Sequence, residues 1–187
     1  MTDALSTALS SAHALLHSVF GFNEFRPGQE EIVRAVLAGE NVLTVMPTGS
    51  GKSLCYQLPA IVRPGLTLVV SPLIALMRDQ VRALAAAGVA AGSLNSSNEP
   101  AENARVMGLL NRRELRLLYV APERLARPDT IEMLAEANVT MMAIDEAHCV
   151  SQWGHDFRPE YLSLGNAARQ IGGRLQTLAL TATADAP

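Results

Sequence analysis

Residues 46–53, Met-Pro-Thr-Gly-Ser-Gly-Lys-Ser, contain the only lysine of the chain, Lys52; the other fourteen of the 15 basic side chains are arginines. The stretch follows a short apolar run and opens a helical pattern. In that position a glycine-rich loop turns backbone N–H groups and a helix N-terminus toward a phosphate. Gly49 and Gly51 permit a close approach of backbone to ligand. Lys52 would reach the β- and γ-phosphates of a nucleotide, and Ser53 would ligate Mg2+. An ammonium on a flexible stem is a mobile point charge that a planar guanidinium does not replace. The strict form of this loop carries a glycine where the chain has Met46.

Three further stretches carry chemistry. Asp145 and Glu146 close a second apolar run, about ninety residues further on. After a phosphate-binding loop, one acid at such a place holds magnesium and its neighbour acts on water; a lone pair of acids there would instead cap a helix. His148 lies two residues beyond, with no second His or Cys at ligand spacing to form a metal-site pattern. Residues 151–161, SQWGHDFRPEY, hold three of the eight aromatic residues, including the only Trp. Aromatics beside Arg158 suit stacking on unpaired bases, although a loop pinned by Trp153 in the core has the same composition. Residues 21–29, GFNEFRPGQ, place Phe22, Arg26 and Gln29 ahead of a helix begun by Pro27. A glutamine amide matches the donor and acceptor edge of adenine, and a helix start with a hydrophobic staple reads equally well.

Positioning these groups requires a particular order of elements. Apolar runs at 41–46, 66–70, 115–120, 139–144 and 175–180 read as strands buried on both faces, with a weaker one near 90–94. Helical patterns fill 52–62, 72–87, 99–112, 128–137 and 160–170, and Ser71-Pro72 reads as a cap followed by proline at the first helical position. Alternation of this kind predicts an α/β fold, a mostly parallel sheet with helices on both faces. At 187 residues the chain is expected to be one domain, with N-terminal helices in 1–40 and a core in 41–187.

Formal net charge is −3, which weighs weakly against nucleic acid as a partner. The distribution softens that, since residues 63–130 carry nine Arg against six acids while both flanks are acidic. Two cysteines suggest reduced thiols and a cytoplasmic protein, nucleoid-associated if bacterial. The N-terminus lacks a basic start and an unbroken apolar run, so it does not read as a signal peptide, and no segment is long enough to span a membrane.

Taken in order, GFNEFRPGQ, MPTGSGKS, SPLIALMRDQ, YVAPERL, DEAHCVSQWGHDFRPEY and LTATAD resemble the first RecA-like domain of superfamily-two helicases, specifically the RecQ family. The aromatic stretch after DEAH is its most specific part, and such helicases tolerate a residue other than glycine at Met46. The resemblance implies that Phe22, Arg26 and Gln29 frame the adenine of ATP. It also implies that Lys52 and Ser53 bind phosphates and Mg2+ with Thr48, Gly49, Ser50 and Gly51 as the cradle. Asp145 would hold the Mg2+, and Glu146 would act on the attacking water. Gln152, Trp153, His155, Phe157 and Arg158 would sense single-stranded DNA, while His148, Thr181 and Thr183 would couple hydrolysis to motion. Segments 71–80 and 119–125 would touch the DNA backbone.

The family works on single-stranded and partly duplex DNA with 3′-to-5′ polarity, and closes ATP against a second RecA-like domain. No second RecA-like, zinc-binding or winged-helix domain follows in this sequence. The expectation is therefore an N-terminal piece that binds nucleotide modestly, hydrolyses slowly and unwinds nothing alone. Two other readings stay open: a stand-alone nucleotide- or DNA-binding module without turnover, and a domain of a DEAH-type RNA helicase.

Overall fold

The computed structural model describes residues 2–150 and 158–182. Two helices open the chain, α1 (Thr2–Ser18) and α2 (Gln29–Leu37), and then strands and helices alternate. In chain order these are β1 (Val42–Val45), α3 (Leu54–Val62), β2 (Leu66–Val70), α4 (Ile74–Ala86), β3 (Ala91–Leu94) and α5 (Pro100–Asn111). After them come β4 (Leu117–Val120), α6 (Pro128–Glu136), β5 (Val139–Ile144), α7 (Leu164–Gly172) and β6 (Gln176–Thr181). The six strands form one sheet in the order β1-β6-β5-β2-β4-β3, and every pairing is parallel. The α/β architecture expected from the alternation is thus present.

Each face of the sheet has its own core. On one, Val69, Leu117, Tyr119, Met141, Ala143 and Leu180 pack under Val36 of α2, Cys55 and Ala60 of α3, and Met77 and Leu84 of α4. On the other, Leu68, Val70, Leu118 and Met142 meet Val106 of α5, Leu134 of α6 and Ile171 of α7. A right-handed crossover explains the division. Connections that step toward β3 use the first face, and those that step back toward β1 use the second. Helix α1 forms an outer layer, laying Ala12 and Leu16 on Val33 of α2 and Leu58 of α3. Among the described residues no helix is long and apolar enough to cross a membrane.

Several helix starts differ from expectation. Pro27 lies in a turn, and α2 begins at Gln29 behind Gly28, whose φ of 84° only glycine adopts freely. Pro72 is not the first residue of α4. That helix starts at Ile74 behind an extended Leu73 without a side-chain cap, and the Ser71 hydroxyl instead accepts the Leu73 N–H at 3.3 Å. The pattern at 160–170 resolves into a 3₁₀ turn, Pro159–Ser163, and then α7. In each case the proline sets a turn just ahead of the helix.

The edge strand β3 lies against α5 through a glycine. A Cβ on Gly92 would stand 2.7 Å from Val106 Cγ2, closer than side-chain contacts allow. Gly92→Ala is expected to lower stability in urea by about 1–3 kcal/mol. The Gly92→Ala/Val106→Ala pair should be less destabilised than the sum of the single variants, because the smaller side chain at 106 makes room for the new methyl.

Candidate functional site

The loop between β1 and α3 is built by hydrogen bonds from outside it. Gly49 and Gly51 hold φ of 80° and 81°, the left-handed region that glycine enters without strain. The Ser50 hydroxyl donates to Pro47 O at 2.6 Å, and Arg26 Nη1 donates to Gly49 O at 2.6 Å. Gln29, 2% exposed, donates from Nε2 to Ser50 O at 3.3 Å and Gly51 O at 3.1 Å, while its Oε1 accepts the Arg26 N–H at 2.8 Å. Arg26 and Gln29 therefore hold carbonyls of the loop, while the Ser50 N–H donates within it to Pro47 O at 3.1 Å. A Cβ on Gly51 would collide with Gln29 Nε2. The Ser53 side chain makes no capping bond to the helix it precedes.

Beside the loop stand the two acids. Asp145 follows β5, is 6% exposed, and accepts the Glu146 N–H on Oδ1 at 3.0 Å. Burial raises its pKa above the ordinary aspartate value, and the adjacent Glu146 carboxylate raises it further, against the lowering field of Lys52. Glu146 adopts a positive φ of 55°, and a side chain forced into that region commonly marks a functional position. Its two oxygens lie 3.9 Å from Lys52 Nζ and 3.3 Å from His148 Nδ1. That ring nitrogen also lies 3.0 Å from Thr181 Oγ1 on β6. Lys52, Asp145, Glu146, His148 and Thr181, remote in sequence, thus form one cluster.

Two clefts flank the cluster. One, of about 430 Å3, is lined by Phe22, Arg26, Gln29, Ser53 and Gln57 among others; Phe22 is 47% exposed at its mouth. The second, of about 450 Å3, opens past β2, β3 and β4 between Pro72, Asn95, Ser96, Arg124, Arg127 and Arg158. Arg124 Nε is tethered to Thr130 at 3.1 Å, Arg127 pairs with Asp129 at 2.8 Å, and Arg158 lies 3.9 Å from Glu123. The site residues Gln152, Trp153, His155, Phe157 and Thr183 lie outside the described residues. Sequence reasoning did not single out Gln57 or Arg127, and reached Arg124 only as part of the segment 119–125. The Arg124/Arg127 spacing after a strand was a usable signal, whereas Gln57 is recognisable only from the cleft it lines.

The sequence matches the DEAD/DEAH box helicase family over residues 26–187, and the chain belongs to that family. Its resemblance within the family is to the RecQ type. The ATP-dependent DNA helicase RecQ of Pasteurella multocida is 51% identical over 171 residues, covering 91% of this chain and 27% of that protein. The Haemophilus influenzae RecQ is 50% identical over 175 residues, covering 94% of this chain and 28% of that one. The chain spans little more than a quarter of the length of these relatives. Among solved structures, the Mycobacterium smegmatis helicase Lhr bound to ssDNA and AMP-PNP is similar with a TM-score of 0.70 and 25% identity. That match covers 91% of this chain and 25% of the Lhr chain.

A raised carboxylate pKa means that ionised Asp145 opposes folding. The penalty is absent in acid, below the ordinary value of 3.8, and complete once pH passes the raised value. Asp145→Asn keeps the acceptor for the Glu146 N–H and removes the charge. It should raise the thermal midpoint of the ligand-free protein at neutral pH, by about 2–4 °C for each kcal/mol gained. That advantage should shrink as the pH falls toward 4 in calorimetric scans.

Proposed function

We propose that this chain is the ATP-binding domain of a RecQ-like DNA helicase, in which ATP hydrolysis drives 3′-to-5′ movement on single-stranded DNA and unwinding of adjoining duplex. The observation that carries the reading is the cluster itself. A single lysine in a glycine-rich loop stands 3.9 Å from Glu146, beside the buried Asp145 carboxylate on which its field acts. The family match and the RecQ relatives add to it.

In this reading the adenine enters the cleft of Phe22, Arg26 and Gln29, with the exposed Phe22 ring offered for stacking. The phosphates meet backbone N–H groups of Thr48, Gly49 and residues 51–53, and the Lys52 ammonium, while the Ser50 N–H stays within the loop on Pro47 O. The donor set fits Mg2+: Ser53 and Asp145 are hard oxygen ligands, and burial leaves the Asp145 carboxylate wanting a positive partner. Among the described residues no group of three or more His, Cys, Asp or Glu could hold a metal alone, which suits an ion that arrives with a nucleotide. When bound, Mg2+ supplies neutralising charge at the phosphates. Glu146 orients the attacking water and accepts its proton, held by Lys52 on one oxygen and His148 on the other. His148 links that carboxylate to Thr181 on β6.

The arginines around the second cleft, with the aromatic stretch 151–157, would contact single-stranded DNA. Segments 71–80 and 119–125 open onto the same side. In the longer protein a second RecA-like domain would supply an arginine finger, which contributes about 10³–10⁵ in rate in P-loop enzymes. This chain alone is therefore expected to bind nucleotide, hydrolyse it slowly and unwind nothing.

Lys52 and the N-terminal amine are the only primary amines in the sequence. Labelling with an amine-reactive reagent, mapped by mass spectrometry, should show Lys52 protected by Mg-ATP while the N-terminus reacts unchanged. Equal labelling at millimolar nucleotide would count against the reading. Lys52→Ala should weaken Mg-ATP binding by about tenfold or more, as loss of a hydrogen bond to a charged group implies. Any ATPase should respond to single-stranded DNA rather than RNA; the reverse would favour the DEAH-type RNA helicase.

A further inference from the structure

The two clefts are joined by buried and half-buried side chains that the site chemistry does not use. Tyr56 and Gln57 lie in the first turn of α3, directly behind the phosphate loop. Tyr56 is 1% exposed, and its hydroxyl donates to Gln80 Oε1 in the middle of α4 at 2.7 Å. Gln57 lines the Phe22 cleft and donates from Nε2 to the Tyr119 hydroxyl on β4 at 3.0 Å. The two tyrosine rings meet edge to face, 6.3 Å apart. Burial pushes the Tyr119 phenol up to about 12 and Tyr56 well above its ordinary value, so both hydroxyls keep their protons.

Both arms end on elements that open onto the arginine cleft. Pro72, just before α4, Ile74 at its start, and Ala121, Glu123 and Arg124, just past β4, line that cleft. Gln80, within the stretch expected to touch DNA, instead turns its side-chain carbonyl inward to Tyr56. A hydroxyl in an apolar core holds its partner at fixed distance, because releasing that partner would strand the buried Tyr56 donor. Displacement of α3 as its loop closes on phosphate would therefore move α4 and β4 with it.

We propose that Tyr56, Gln57, Gln80 and Tyr119 form a buried strut through which the nucleotide cleft and the arginine cleft set one another's affinity, with Tyr56 as its central positioning residue. The inference rests on the function proposed above. Its test measures binding of a fluorescent oligothymidylate with and without the ATP analogue AMP-PNP and Mg2+, on this chain and on two variants. Tyr56→Phe removes only the hydroxyl. Tyr56→Phe/Gln80→Met also removes the acceptor it would strand, which keeps the test open should the single variant fold poorly.

In the wild type, nucleotide should change DNA affinity by about fivefold or more, with DNA changing nucleotide affinity by the same factor. In the folded variants each ligand alone should bind as in the wild type, while the mutual effect disappears. A purely structural role would lower the thermal midpoint and leave the mutual effect in place. Full coupling in a folded variant overturns the strut. So does a wild type that binds both ligands independently, an outcome that leaves the proposed function standing. A wild type that binds no nucleotide removes that function and the strut with it.

Discussion

Every hydrogen-bonded pair of strands in this sheet runs in the same direction, and most of what the molecule does follows from that. Parallel neighbours cannot be joined by a tight turn, so each pair requires a crossover long enough to hold a helix. Those helices cover the two faces and leave the strand exits open along one rim. The glycine-rich loop follows β1, the Ser71 turn follows β2, the Asn95 loop β3, the Arg124 segment β4 and the paired acids β5. Groups scattered over more than a hundred residues meet because their strands end side by side. Ligands of open α/β sheets bind at this rim for the same reason.

The rim is also where the fold is least comfortable. Asp145 is a charge largely withdrawn from water, next to a second carboxylate and served by one ammonium at some distance. Glu146 is held in a backbone region that side chains avoid. A core filled by Leu and Val at these positions would fold more readily and bind nothing. Most arginines, by contrast, sit in water or in short-range pairs such as Arg105 with Glu102. The lone ammonium is set apart by its surroundings as well as by its type.

Much of this was legible in the sequence. The five strong strand patterns and the weak one at 90–94 all correspond to strands, because buried parallel strands leave unbroken apolar runs that little else imitates. The glycine-rich loop and the paired acids lie where those runs put them, directly after β1 and β5. Helix starts were read less well. Pro27 and Pro72 each fix a turn one or two residues before the helix, and local pattern does not separate that from a first helical residue. Gln29 was singled out for an amide edge suited to adenine, and that amide holds the loop carbonyls. Nothing in residues 21–29 says that Ser50 and Gly51 will lie overhead, since that contact exists only once α2 and α3 have packed. The same holds for Tyr56 and Gln80, which look like ordinary helix residues until their helices meet.

The contact between Gly51 and Gln29 has a consequence for how this protein tolerates change. The two positions are 22 residues apart, yet a side chain at 51 would take the space that the Gln29 amide fills. It would release that amide from two carbonyls and from Arg26 together. Substitutions at either position therefore act on a shared object, and their effects are epistatic. A shorter residue at 29 could make room for a methyl at 51, although the left-handed backbone there would still resist it. Evolution can vary the glycine-rich loop and the turn before α2 only as a pair, so two segments that look independent on paper are inherited as one.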